Sequence, residues 1–190
     1  MKAERVTELT VADEPVSTAT AKLFLRVDIA DDDTLIGGLI TAARQYAENY
    51  CQRSFAVKTY RADLPYFMDN VHLPNGPVIS IDSVKYWDTE SPSVLQTWAA
   101  GNYALNYDTF ERNDGVSFED VYPRTDAVQI TYTAGYQDGS PLANDCPQAV
   151  IQAILLMVGD MYEYREAKVA SAVSSNPTVH ALLNQYREYR

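Results

Sequence analysis

The chain is poor in the side chains that most enzyme chemistry needs. It has two histidines, His72 and His180, and two cysteines, Cys51 and Cys146, in 190 residues. Neither histidine stands in a metal spacing such as HExxH, and the cysteines fit no zinc or redox pattern. There is no GxSxG elbow, no P-loop and no GxGxxG after a strand, so the familiar nucleophile, nucleotide and dinucleotide motifs are absent. Basic residues are scarce as well: 15 Lys and Arg face 26 Asp and Glu, a formal net charge of −11. That balance argues against a domain that binds DNA by neutralising phosphates. Long apolar runs are missing too. The longest, from Ala149 to Met161, contains Gln152 and Asp160 and is too short to span a bilayer. The opening MKAERVTELTVADEP has no apolar h-region, so no signal peptide is expected. The expectation is a soluble cytoplasmic chain with reduced thiols and no membrane partner. Nothing in it nominates a catalytic residue, a metal ligand or a cofactor site.

What is present is a globular core and much tyrosine. Hydrophobic residues make up 46% of the chain, enough to bury a core, and tyrosine alone supplies 14 residues. A tyrosine offers an apolar face and a polar tip, which suits surfaces half buried against a neighbour as well as strands of a lone β-domain. The acidic surplus suits plain solubility, and equally a channel wall that repels phosphate.

Along the chain, residues up to Pro15 read as a loose lead-in. Ser17 or Thr18 can cap a short helix carrying Leu23, Phe24 and Val27. The Asp31–Asp32–Asp33 triplet then precedes a long helical stripe of Leu35, Ile36, Leu39, Ile40, Ala43, Tyr46, Ala47 and Tyr50. The triplet is read as an N-cap facing the helix dipole, with metal ligation the alternative. Gly37 and Gly38 cost about 1 kcal/mol each relative to Ala, which close packing against another backbone would explain.

From Phe55 to Tyr136 the pattern is that of strands. In NVHLPNGPVISIDSVKYWD, where His72 takes a structural role, Ile79 and Ile81 share one face, whereas Val84 and Tyr86 have the opposite parity. A bulge near Asp82–Ser83 reconciles them. Short strands are expected at Leu95–Trp98, Tyr103–Tyr107 and Val116–Val121. AVQITYT alternates most cleanly, with Val128, Ile130 and Tyr132 on one face. Cys146–Pro147 opens a second long helix with the stripe Val150, Ile151, Ile154, Leu155, Val158, Met161 and Tyr162. VASAVSSN reads as a flexible link. Asn176 and Pro177 then start a last helix whose stripe is Val179, Leu182, Leu183 and Tyr186. From Ala167 to Arg190, Lys168, Arg187 and Arg190 against Glu188 give a local charge of 3 − 1 = +2. A helix behind a link, with its own stripe and reversed charge, needs a surface to dock on, in its own domain or on a partner.

The expected fold class is α+β: a small bundle core of two long helices plus a short N-terminal helix, an inserted β-rich lobe and a C-terminal docking helix. The boundaries are an arm at 1–16, the helical core at 17–54 and 145–168, the β-rich insertion at 55–144, and the link with its helix at 169–190.

The residues resemble a family. The block AKLFLRVDIADDDTLIGGLITAARQYAENYCQRSF is similar to the opening of phage head–tail connector (adaptor, head-completion) proteins. LPNGPVISIDSVKYWD resembles their central strands, and ITYTAGY followed by CPQAVIQAILLMVGDMYEYRE their closing block. ALLNQYR resembles the tail of the longer members, some of which carry the label "possible DNA packaging". Residues 91–123 match no part of the pattern. The resemblance implies a structural virion protein of the neck and no enzyme, first assembled in the host cytoplasm. It implies a twelve-fold homo-oligomeric ring between the portal protein and the next head-closure or tail protein, with DNA passing through unread. The alternatives are a head-closure or tail-completion protein of the same neck and, more remotely, a small carboxylate-dependent hydrolase. The portal or neighbour contact is expected at Val179, Leu182, Leu183, Tyr186, Arg187, Tyr189 and Arg190. On that view, deleting residues 177–190 leaves the domain folded and stops its addition to heads.

Overall fold

The computed structural model describes residues 5–11, 14–136, 145–164 and 177–188. The fold is α+β and divides into two compact units. The β unit takes Met1–Ala12 and Val57–Asn144, and the helical unit takes Asp13–Ala56 and Asp145–Arg190.

The β unit is organised around the most regularly alternating segment. Strand β8 (Val128–Ala134) buries Val128, Ile130, Tyr132 and Ala134 and turns the residues between them outward. It pairs antiparallel with β2 (Lys58–Leu64) on one side and β4 (Val78–Trp87) on the other. β1 (Arg5–Val11) and β5 (Leu95–Trp98) form the edges, giving the order β1-β2-β8-β4-β5. The arm expected as a loose lead-in therefore contains a strand: residues 5–11 complete the sheet on β2, with a bulge between Glu8 and Thr10. A second sheet, β3-β7-β6, is built from β3 (Asn70–His72), β6 (Tyr103–Asn106) and β7 (Thr109–Arg112), with a 3-10 turn over Ala100–Asn102 leading into β6. Residues 116–121, expected as a strand, are coil. Their apolar members Val116, Phe118 and Val121 still pack on the core, so the burial is present without a ladder.

The parity break in β4 is resolved by two bulges. Its register on β8 shifts between Val78 and Ser80 and again between Ile81 and Ser83. A bulge flips every later side chain to the other face. The two shifts bring Val78, Ile81, Val84 and Tyr86 to one core. Ile81 thus shares its face with Val78 rather than with Ile79, and Asp82 is the extra residue of the second bulge. The Asp82 carboxylate accepts from Ser80 Oγ at 2.8 Å and Thr133 Oγ1 at 2.8 Å. Tyr60 stacks on Tyr132 at 5.6 Å, and the Tyr132 hydroxyl donates to the Pro74 carbonyl at 2.8 Å. Phe67, Trp98 and Phe118 form an aromatic cluster with centroids 4.8–5.8 Å apart. At the turn before β4, a Cβ on Gly76 would fall 2.5 Å from the Asp108 carboxylate, whose other oxygen accepts the Val78 N–H at 2.7 Å.

The helical unit holds α1 (Thr18–Leu25), α2 (Asp33–Cys51), α3 (Gln148–Glu163) and α4 (Pro177–Asn184). Ser17 caps α1 by accepting the Thr20 N–H at 3.1 Å. Asp32 and Asp33 of the triplet stand at the N-cap and in the first turn of α2, as expected, and also reach other helices. Asp32, at the N-cap of α2, makes no side-chain cap bond and instead accepts from the Tyr162 hydroxyl, while Asp33 pairs with Lys22 at 2.6 Å. From the N-terminus of α2, Asp32 and Asp33 thus also tie it to α3 and α1. Ile36, Ile40, Ala43, Ala47 and Cys51 of α2 and Val150, Ala153, Ile154, Leu155 and Val158 of α3 are buried, and α2 packs on α3.

Within this core lies one buried ionic group. Arg44, 2% exposed, donates to Glu14 at 2.7 Å and to Glu48 at 2.6 Å. The other Glu48 oxygen accepts the N–H groups of Phe55 and Ala56 at 2.9 and 3.2 Å. Burial works against the Arg44 charge, and the two carboxylates overcome it and hold the guanidinium above its ordinary value.

Candidate interface

The last helix was the sequence's candidate contact element, and most of its stripe is turned inward. α4 packs on α3 and α2 of its own unit. Val179 and Leu183 are 3% and 0% exposed, so these two belong to the core and are not open to a partner. Around them the contact is polar and aromatic. The Tyr50 hydroxyl donates to Asn184 Oδ1 at 2.6 Å, the Cys51 thiol to the Leu183 carbonyl at 3.5 Å, and the Glu188 N–H to the Cys51 carbonyl at 2.9 Å. His180 meets the Tyr50 ring edge-on at 5.0 Å, Tyr46 stacks on Tyr50 at 6.3 Å, and Arg187 lies over the Tyr50 ring at 5.2 Å. Leu182 and Tyr186 are half buried and Arg187 is exposed. Tyr189, Arg190 and the link at 169–176 lie outside the described residues. Deletion of 177–190 therefore uncovers apolar surface of α2 and α3, and is expected to destabilise the helical unit instead of leaving it intact. Tyr46 and Tyr50, read from the sequence only as part of the α2 stripe, receive the helix, and His180 of α4 meets them; a pair of tyrosines at i,i+4 was the available signal.

The thiols are held away from reactivity. Burial pushes Cys51 up to about 11, against a smaller opposing pull from Arg53 and Arg187. Burial, with Glu48 nearby, pushes Cys146 up to about 12. Both are neutral at physiological pH and poor nucleophiles. Among the described residues no group of three or more His, Cys, Asp or Glu is placed to hold a metal ion.

The open surface of the first two helices has a distinct character. On α1 the exposed residues are Ala19, Thr20, Leu23 and Phe24. On α2 they are Thr34, Leu35, Gly38, Ala42, Gln45, Tyr46 and Asn49, one stripe at helical spacing. None carries a charge. The charged residues of these two helices, Lys22, Asp33, Arg44 and Glu48, are all engaged within the unit. Leu23 is 82% exposed and Phe24 42%. Gly37 and Gly38 have no close neighbour among the described residues: a Cβ on either would meet nothing beyond its own helix within 4 Å, so the close backbone packing expected at them is not found there.

Phage gp6-like head-tail connector proteins match residues 17–119, more than half of the chain. The chain belongs to that family. Its fold is also found in solved particles. A chain from the neck of an empty gene transfer agent particle computed with C6 symmetry superposes with a TM-score of 0.76, at 23% identity, over 98% of this chain and 96% of that one. A chain from the virion of a native gene transfer agent particle gives a TM-score of 0.76 at 22% identity, covering 97% and 96%. One from the neck of the native particle computed with C12 symmetry gives 0.68 at 22% identity, covering 98% and 96%. No curated protein matches the sequence. The connector family is the one the sequence resembles, and the insert at 91–123 falls mostly inside the matched range.

Proposed function

We propose that this connector is a structural subunit of the neck of a tailed phage or phage-like particle, without catalytic activity of its own. In this reading twelve copies form a ring between the portal protein and the next head-closure or tail protein, and the ring extends the DNA channel. The observation that carries it is family membership over residues 17–119 together with a fold shared along 98% of the chain with a particle neck subunit. The absence of a recognisable catalytic motif agrees with a role in shape and contact.

Contact with the portal or with a neighbouring subunit is assigned to Leu182 of α4 and to Tyr186 and Arg187 just after it, together with Tyr189 and Arg190. Val179 and Leu183 serve by seating the helix. The β unit carries 7 Lys and Arg against 14 Asp and Glu, net −7, and the helical unit 8 against 12, net −4. Carboxylates facing a lumen would let DNA slide without being held.

A reconstruction of the neck of the particles that contain this chain tests the reading. The expected result is a closed ring of it adjoining the portal. Its location beyond the adjoining ring would return the head-closure or tail-completion alternative, and its absence from mature particles would overturn the neck reading altogether. Nothing among the described residues favours the hydrolase alternative.

A further inference from the structure

We infer that the subunits of the ring lock together by a knob and a hollow, both on the helical unit: Leu23 and Phe24 of α1 in one copy enter the bare helix surface at Gly37, Gly38 and Ala42 of α2 in the next. The inference rests on the ring reading above and says which surfaces build it.

Three observations lead here. Two adjacent glycines inside a 19-residue helix weaken it, yet among the described residues nothing beyond their own helix lies within 4 Å of where their side chains would be. What requires the missing side chains is not found among the described residues. Leu23, at 82%, is the most exposed large hydrophobic side chain among the described residues, and Phe24 beside it is 42% exposed yet steadied from beneath, its ring lying 3.3 Å from a Cβ placed on Gly159. Both surfaces, finally, carry no charge beyond the Lys22–Asp33 pair, which is closed within the unit.

The last point selects the occupant. DNA would be met by lysines and arginines, and a basic partner by carboxylates. A chain of net −11 approaches a second copy of itself closely only where neither presents charge. Geometry then favours a ring. A contact between two different patches repeats head to tail and can close into a cycle, whereas a patch that pairs with itself stops at two copies. A projecting ridge on α1 and an empty strip on α2 are two different patches.

Gly38→Leu tests this with opposing readouts. Leucine is the better helix former and meets no neighbour, so the isolated variant should melt about 2–3 °C higher than the wild type. With the hollow filled, the same variant should be at least ten-fold depleted from the necks of particles made with it in place of the wild-type chain. Leu23→Glu should melt as the wild type does and be depleted likewise. Oxidation of wild-type-like rings carrying both Leu23→Cys and Gly38→Cys should give a ladder of cross-linked multimers, which neither single variant gives. Normal incorporation of Gly38→Leu, or an absent ladder in rings that form, overturns the knob and hollow while leaving the ring standing. Necks without a ring of the wild-type chain bring down the reading beneath it, and this inference with it.

Discussion

Arg44 shows how much can hang on one side chain. It is buried between Glu14 and Glu48, and Glu48 in turn holds two backbone N–H groups of the segment leaving α2. Removing one member of such a group strands the charge of another, which costs about 3–5 kcal/mol, more than the group contributes relative to apolar substitutes. Arg44→Ala should therefore lower unfolding stability by that amount in urea titrations. Arg44→Met combined with Glu48→Gln should cost less than the sum of the two single changes, because each single change strands a buried charge of the pair, whereas the double change leaves only the more exposed Glu14 without its partner. The thiols give a pH dependence of definite sign. Both are raised above the ordinary 9.0, to about 11 and about 12, so the folded state disfavours thiolate. Their contribution to stability is complete below about pH 9 and is lost as the pH rises through 11 and 12. The alkaline limb of the stability profile should flatten in Cys51→Ser and Cys146→Ser. Reaction of the native wild type with a disulfide reagent at pH 8 should be far slower than reaction of the unfolded chain. A native rate equal to the unfolded one would mean that the thiols are not held by burial.

At the scale of elements, the β4 strand is the most specific device in the fold. Asp82 is one residue too many for the ladder, and it is what places Val84 on the side of Val78 and Ile81. Deleting Asp82 should turn Val84 and Tyr86 outward and cost several kcal/mol, since each large buried apolar side chain is worth about 1.5–3 kcal/mol. Asp82→Asn, which keeps the spacing, should cost about 1 kcal/mol, the scale of a single hydrogen bond. Near-ultraviolet dichroism and urea unfolding separate the two. This bulge was legible because parity in a strand is strict, so Ile81 and Val84 could not otherwise share a core. β8 and α3 were legible for the related reason that a core-facing stripe repeats at a fixed period. What could not be read was pairing at a distance. Nothing in RVTELTV says that it lies on β2, and nothing in the stripe of Val179 and Leu183 says whose surface it covers. The long-range docking of α4 explains why its candidate contact residues split: two became core, three remain partly open, and two lie outside the described residues. Val179→Ala with Leu183→Ala should destabilise the helical unit by about 2–5 kcal/mol for the leucine alone. Arg187→Glu should leave the fold in place and weaken the neck contact.

For the molecule as a whole, charge decides what can hold copies together. Subunits of net −11 repel, and the repulsion is screened over a Debye length of about 10 Å at 0.1 M salt, shortening to about 3 Å at 1 M. If the ring contact is made by uncharged faces, salt removes the repulsion without touching the attraction. Self-association, or addition to heads lacking the ring, should then strengthen as sodium chloride rises from 0.05 to about 0.5 M. A contact built on ion pairs between the acidic β unit and the basic tail would respond in the opposite sense. The same charge predicts that duplex DNA is not retained by the isolated chain, even at low salt where phosphate contacts are strongest. Sedimentation across that salt range, with and without DNA, reads both. Association that weakens with salt would move the contact away from α1 and α2, and salt-sensitive DNA binding would remove the channel role from the acidic surface.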